Sequence, residues 1–193
     1  MNLTEGTTEE KQGRAKKMML WFGIASLLMT FAGWTSAYIV SSTREDWLSD
    51  FQLPSAFYIS TILLLSSSLT YILAKRAIKN DNSSLCTTFL VTTLVLGITF
   101  IVFQFRGFSE IVAQGYYFTG ESSSVTTSYI FLIAMVHILH VIAGIISLLV
   151  VIYQQLKGKY SAQNSLGIAL GLTFWHFLDL LWLYLILFFY FYK

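Results

Sequence analysis

The chain has 193 residues, of which 55% are hydrophobic, 17% aromatic and only 11% charged, with a formal net charge of +2. A soluble domain carries about 25% charged residues, and a globule this small cannot hide so much apolar surface, so a soluble enzyme, a disordered tail and a nucleic-acid binder are excluded. Mean hydropathy is +0.65. The single cysteine, Cys86, also excludes an intrachain disulfide framework and a multi-cysteine metal site. What remains is an integral membrane protein.

In chain order, residues 1–17 (MNLTEGTTEEKQGRAKK) read as a polar N-terminal tail, and residues 18–193 as one all-α bundle of five transmembrane helices. The tail is too long and too acidic for a signal-peptide n-region, and no small-residue cleavage site follows promptly, so the first span reads as a retained helix. That span, about 18–40, carries Gly23, Ser26, Thr30, Gly33 and Ala37 at spacings of three and four. Such a stripe lets transmembrane helices approach closely. The second span, about 53–74, opens at Pro54, where a missing N–H costs nothing, and holds Ser66, Ser67 and Ser68. The third, about 85–105, places Thr88, Thr92 and Thr99 on one face. The fourth, about 128–153, contains His137 and His140, with Gly144 and Ser147 following on the same face. The fifth, about 166–192, opens with Gly167-x-x-x-Gly171 and continues to Trp175, His176, Asp179 and Trp182.

Each stretch suffices for a hydrocarbon core of about 30 Å, which takes about 20 helical residues. Continuous apolarity argues against barrel strands, which alternate. No proline interrupts a span, which argues against the broken helices of many transporters. The small-residue stripes predict helix packing inside the bundle, or the docking of one stripe onto a larger partner.

Basic residues set the expected orientation. Lys11, Arg14, Lys16, Lys17, Lys75, Arg76, Lys79, Lys157 and Lys159 flank the spans on one side, against Arg44, Arg106 and Lys193 on the other. The opposite loops carry Glu45, Asp46, Asp50, Glu110 and Glu121. The positive-inside rule places the N-terminus in the cytoplasm and the C-terminus outside.

Ionisable groups at membrane depth are costly and mark function by default. His176 and Asp179 are i, i+3 neighbours, a spacing that allows an imidazole–carboxylate contact. Three readings are open for His137, His140, His176 and Asp179. They form a polar network holding the fourth and fifth helices to each other or to lipid headgroups; they ligate a metal or haem; or Asp179 handles protons. The paired Glu-x-x-His pattern of carboxylate-bridged metal sites is absent from the sequence. As whole-protein alternatives, a stand-alone transporter or channel and an intramembrane metalloenzyme stand beside an accessory subunit.

The segment from Trp175 to Tyr184, WHFLDLLWLY, resembles the final-helix signature W-H-F-x-D-x-x-W-L of haem–copper oxidase subunit III. His137-Ile-Leu-His140 with Gly144 resembles that family's H-x-x-H-x-x-x-G helix, and residues 103–120, FQFRGFSEIVAQGYYFTG, resemble its external loop. The run Ser66-Ser67-Ser68 fits as well, and the likeness extends from about residue 18 to the C-terminus. The resemblance implies a non-catalytic subunit of a terminal oxidase of the cytochrome c or quinol type in a bacterial inner membrane, with cytochrome c the expected donor. It implies no catalytic, haem or metal ligand in this chain. Haem and copper belong to the partner subunit I, with subunit II and membrane phospholipid as further partners. The histidines, Asp179, Trp175 and Trp182 would then serve helix and lipid contacts, and Gly23, Ser26, Thr30, Gly33, Ala37, Gly144, Gly167 and Gly171 helix packing. Many members have seven spans, whereas this chain has five. Aligning Phe31-Ala32-Gly33 puts Leu27 where the family often carries an intramembrane Glu, so the role of that Glu does not transfer.

Overall fold

A computed structural model of the chain describes residues 7–45, 47–48, 52–120 and 123–192. Asp46, Asp50, Glu121 and Lys193, counted above among the flanking charges, lie outside the described residues. Five helices follow one another: α1 (Thr8–Ser41), α2 (Ser55–Lys79), α3 (Ser83–Ala113), α4 (Val125–Leu156) and α5 (Leu166–Phe191). All five are long and apolar enough to cross a membrane. Among the described residues there is no strand, only an isolated bridge between Tyr117 and Ser123.

Local chemistry explains where the helices start. Thr7 Oγ1 accepts from the Glu10 amide at 3.3 Å while Glu10 Oε2 accepts from the Thr7 amide at 2.8 Å. This capping box satisfies two orphan donors, and it starts α1 well inside the segment expected to be a tail. At 34 residues α1 is about 50 Å long, so its first turns stand outside a hydrocarbon core. Asn82 Oδ1 caps α3 through the Leu85 amide at 3.1 Å, and Ser124 Oγ caps α4 through the Thr127 amide at 3.1 Å. α2 begins directly after Pro54.

The largest departure concerns residues 103–120, expected to be an external loop. α3 runs on through Ala113, because Gln104, Gly107, Phe108 and Ile111 are buried against neighbouring helices. Tertiary packing carries that helix past the end of the apolar run.

α2 and α3 form an antiparallel hairpin with the most extensive interface. α3 then packs on α4, α4 on α5, and α5 returns to α2, closing a ring of four helices. α1 lies outside this ring and, among the described residues, touches only α4 and α5. Two apolar clusters fill the ring, one around Trp182, Phe57 and Phe100 and one around Trp175, Tyr71 and Leu90, with Ile145 against both. At one end Asp81 Oδ1 accepts from the Ala162 amide at 3.3 Å, tying the α2–α3 and α4–α5 loops beside the start of α1. At the other, Thr126 Oγ1 accepts from the Leu48 amide at 3.0 Å, and the Tyr38 ring meets Trp47 and Phe188 edge-on.

Candidate functional site

The intramembrane polar residues gather where α2 faces α5. Two pairs on α2, Ser60 with Ser67 and Thr61 with Ser68, are each seven residues apart, so they recur on one face after two turns. Trp175 and Trp182 repeat at the same interval on α5, which runs antiparallel to α2. Trp175 Nε1 donates to Ser67 Oγ at 2.9 Å, and Trp182 Nε1 donates to Thr61 Oγ1 at 3.0 Å. Between them Ser68 Oγ donates to Asp179 Oδ2 and also meets His176 Nδ1. A hydroxyl has one proton; given to the carboxylate, it leaves a lone pair for the imidazole N–H. The His176 and Asp179 side chains lie 3.8 Å apart, the imidazole 32% exposed and the carboxylate 3%. Among the described residues, Asp179 Oδ1 has no hydrogen-bond partner.

Beside the expected holding of the fourth and fifth helices to each other or to lipid headgroups, this geometry adds α2 as a partner of α5. Trp175, His176, Asp179 and Trp182 all reach to α2. From α4, His137 makes a polar contact with α5, its Nε2 lying 3.1 Å from the Leu178 carbonyl. Its ring is enclosed by Phe31, Phe100 and Trp182. His140 turns back on its own helix, Nδ1 at 2.7 Å from the Val136 carbonyl, and meets the Phe31 ring edge-on. Each imidazole is thus engaged separately, and among the described residues no three His, Cys, Asp or Glu groups converge to hold a metal ion.

The glycines divide into two sets. A Cβ on Gly144 would lie 2.9 Å from Leu178 and 3.4 Å from the Trp175 ring. On Gly167 it would strike the Tyr160 hydroxyl, and on Gly171 the Tyr71 hydroxyl. Each of these three gives room to a side chain. Gly23 and Gly33 are different: among the described residues a Cβ there meets nothing within 4 Å. Ser26 and Thr30 are exposed with them and Ala37 is half-buried, while the buried residues of α1 are Ile24, Phe31, Thr35 and Tyr38. The α1 stripe therefore faces away from its own bundle. Of the third-span threonines, Thr88 and Thr92 are exposed and Thr99 is half-buried, and each donates to a backbone carbonyl four residues back. The packing face of α3 carries Thr93, Gly97, Phe100 and Gln104 instead.

Several contributors escaped the sequence reading. Gln104 Nε2 donates to Ser60 Oγ at 2.9 Å, and Thr70 and Thr93 share a hydroxyl contact at 2.8 Å. A Cβ on Gly97 would sit 2.8 Å from the Trp175 ring. Hydroxyl residues at seven-residue spacing in an otherwise apolar span were the available signal.

Asp179→Leu is expected to lower the stability of the folded chain by about 1–3 kcal/mol, because it strips Ser68 and His176 of a buried acceptor. Denaturation of the purified complex checks the size.

Comparisons with known proteins point to one family. The family described as "Cytochrome c oxidase subunit III" matches residues 43–193. Cytochrome c oxidase subunit 3 of Spodoptera frugiperda is 33% identical over 135 residues, covering 70% of this chain and 86% of the relative. The protein of the same name from Alkalihalophilus pseudofirmus is 28% identical over 177 residues, covering 90% of this chain and 85% of the relative. Cytochrome bo(3) ubiquinol oxidase subunit 3 of Pseudomonas aeruginosa is 34% identical over 133 residues, covering 69% and 62%. With a family match over most of its length on a bundle of five membrane-length helices, the chain belongs to the cytochrome c oxidase subunit III family.

Proposed function

We propose that this chain is the non-catalytic third subunit of a respiratory haem–copper oxidase, whose large partner subunit reduces oxygen to water and translocates protons. The observation that carries the reading is the family match over residues 43–193. The intramembrane chemistry agrees with it. His137, His140 and His176 are separately engaged by Leu178, Val136 and the Ser68–Asp179 pair, so they do not fit a haem or copper ligand set. Their role is to hold the bundle. The α2–α5 polar contacts fix α5, on which Trp175 and Trp182 sit, against α2, and so make a stiff flank for a partner.

Subunits I and II are the proposed partners, with phospholipid between and around them. The outward stripe of Gly23, Ser26, Thr30 and Gly33 on α1 is the proposed surface for the large subunit, since small residues admit a helix closely. Relatives carry both cytochrome c and ubiquinol oxidase names; we assign cytochrome c as the donor, in line with the description of the family match. The proposed location is a bacterial inner membrane with the N-terminus cytoplasmic, supported by nine basic residues at one end of the bundle.

A tag on this chain is expected to bring down a much larger haem protein from mild-detergent extracts, in a complex that oxidises cytochrome c and not quinol. The chain alone is expected to show no Soret band. A Soret band from the isolated polypeptide, or a pull-down without haem, sinks the subunit reading. Oxidation of quinol in place of cytochrome c overturns only the donor.

A further inference from the structure

Asp179, Ser68 and His176 form a chain of contacts that runs outward from the α2–α5 interface. The carboxylate is buried, the imidazole is half-buried, and Ser68 Oγ touches both. His176 stands ten residues beyond the start of α5 at Leu166. That is about 15 Å along the axis, half of a hydrocarbon core of about 30 Å. A net charge at that depth is costly. Lys75 shares the Ser68 face of α2 but lies two turns away, about 10 Å, so the three groups have to balance charge among themselves. Two arrangements do so. In one, Asp179 is ionised and His176 protonated, and Ser68 donates to the carboxylate while accepting from Nδ1. In the other, the proton sits on Asp179, which donates to Ser68, and Ser68 donates to Nδ1. His176 Nε2 carries a hydrogen in both. Among the described residues that N–H has no partner.

We propose that the His176 Nε2–H docks a transmembrane helix of another subunit, one that lies along the outer face of α5 and carries a side-chain oxygen acceptor at mid-depth. Depth selects a protein group over a lipid, since headgroup oxygens begin about 15 Å away. The hydrocarbon holds no water to take the hydrogen bond, and a bare N–H there is costly. The face around His176 suits a helix. Ala169, Thr173, His176, Leu180 and Leu187 follow one another at spacings of three, four and seven, and each is half-buried or exposed in this chain. Ala169 and Thr173 are small enough to let a second backbone approach. The Thr173 hydroxyl is occupied by the Ala169 carbonyl at 2.9 Å, so the polar demand of this face falls on His176. Trp175 and Trp182, tied to Ser67 and Thr61, hold α5 against α2 on either side of the imidazole. The donor is therefore set in place before the partner arrives, which lowers the ordering cost of the contact.

The inference rests on the reading that the chain is one subunit of an oxidase complex. The test places a photoreactive benzoylphenylalanine at Leu180, which shares the face and takes no part in the polar contacts, and illuminates the whole complex in its native membrane. The label is expected to join a membrane-spanning segment of another subunit, within one turn of a Ser, Thr, Asn, Gln, Asp or Glu. Attachment to lipid alone, to a second copy of this chain, or to a segment without such a residue overturns the proposal. His176→Phe, which keeps a ring and removes the donor, should hold this chain in the detergent-purified complex roughly tenfold more weakly, about 1.4 kcal/mol. His176→Gln, whose amide restores an N–H, should recover most of that loss. Replacing the acceptor found by the label with an apolar residue should cost as much as His176→Phe, and the two losses should not add. A His176→Phe complex as tight as the parent, or losses that add in full, overturns the docking contact. Failure of the chain to purify with a haem-bearing subunit overturns the oxidase reading instead, before any label is introduced.

Discussion

Trp175→Ala is expected to cost about 3 kcal/mol of stability, the largest loss of any single side chain in the bundle. The ring touches three other helices at once. Its Nε1 donates to Ser67 on α2, its face meets Tyr71 edge-on at 6.3 Å, and its edges lie against Gly97 of α3 and Gly144 of α4. Core Trp→Ala changes cost about 3–5 kcal/mol in water-soluble proteins, as a transfer part and a cavity part. In lipid the transfer part between helices is absent, which brings the expectation to the low end of that range. The cavity part stays large for a reason visible in the sequence. Two of the walls are glycines, which have no side chain to swing into the void. Ser67→Ala, which leaves the ring in place but its N–H unpaired, should cost about 1–3 kcal/mol. The two losses should not add, since the alanine at 175 has already removed the donor. Unfolding of the purified complex measures both. A Trp175→Ala loss under about 1 kcal/mol would show that the helices close over the gap, and that the junction is not rigid.

The number and kind of elements were legible because a bilayer imposes them: a continuous apolar run of about 20 residues has few alternatives to a spanning helix. The helix ends were less so. The α1 start was available in the sequence, as Thr7 and Glu10 have capping-box spacing, but the charge of the surrounding segment made it read as a tail. The extension of α3 to Ala113 was not available, because it depends on Gly107 and Phe108 finding Phe57 and Phe131 across two other helices. The same limit applies to the polar residues. Periodicity puts His176 and Asp179 on one side of α5 but does not name the helix opposite them. The partner came from α2, through the serine run that fits the family resemblance but whose facing helix the sequence does not name. The small-residue stripes show the limit most sharply. Gly144, Gly167 and Gly171 give space to neighbours inside the chain, while Gly23 and Gly33 meet nothing. Spacing alone does not separate a face that packs at home from one left for a partner.

That division gives the second large expectation. Gly107→Ala should destabilise the bundle by about 2–3 kcal/mol, at the upper end of what overpacking costs. The added Cβ falls on the Phe57 ring. Phe57 is fully buried, with Phe108 and Trp182 meeting it edge-on at 5.9 Å and 5.7 Å. It cannot yield by turning its ring, and Trp182 is itself tethered to Thr61. The strain must then go into the α2–α3 interface, the most extensive in the fold. Gly33→Ala is the matched control. Its Cβ meets nothing within 4 Å among the described residues, so in the separated chain it should be neutral or stabilising by up to about 1 kcal/mol, from helix propensity alone. In the assembled complex the same change should be destabilising if α1 docks there, because the methyl group then intrudes on the partner. Phe57→Leu should partly rescue Gly107→Ala, since a slimmer side chain leaves room for the new carbon. Thermal unfolding of the four proteins gives the coupling energy directly. Absence of rescue would mean that the cost of Gly107→Ala arises from something other than the collision with Phe57.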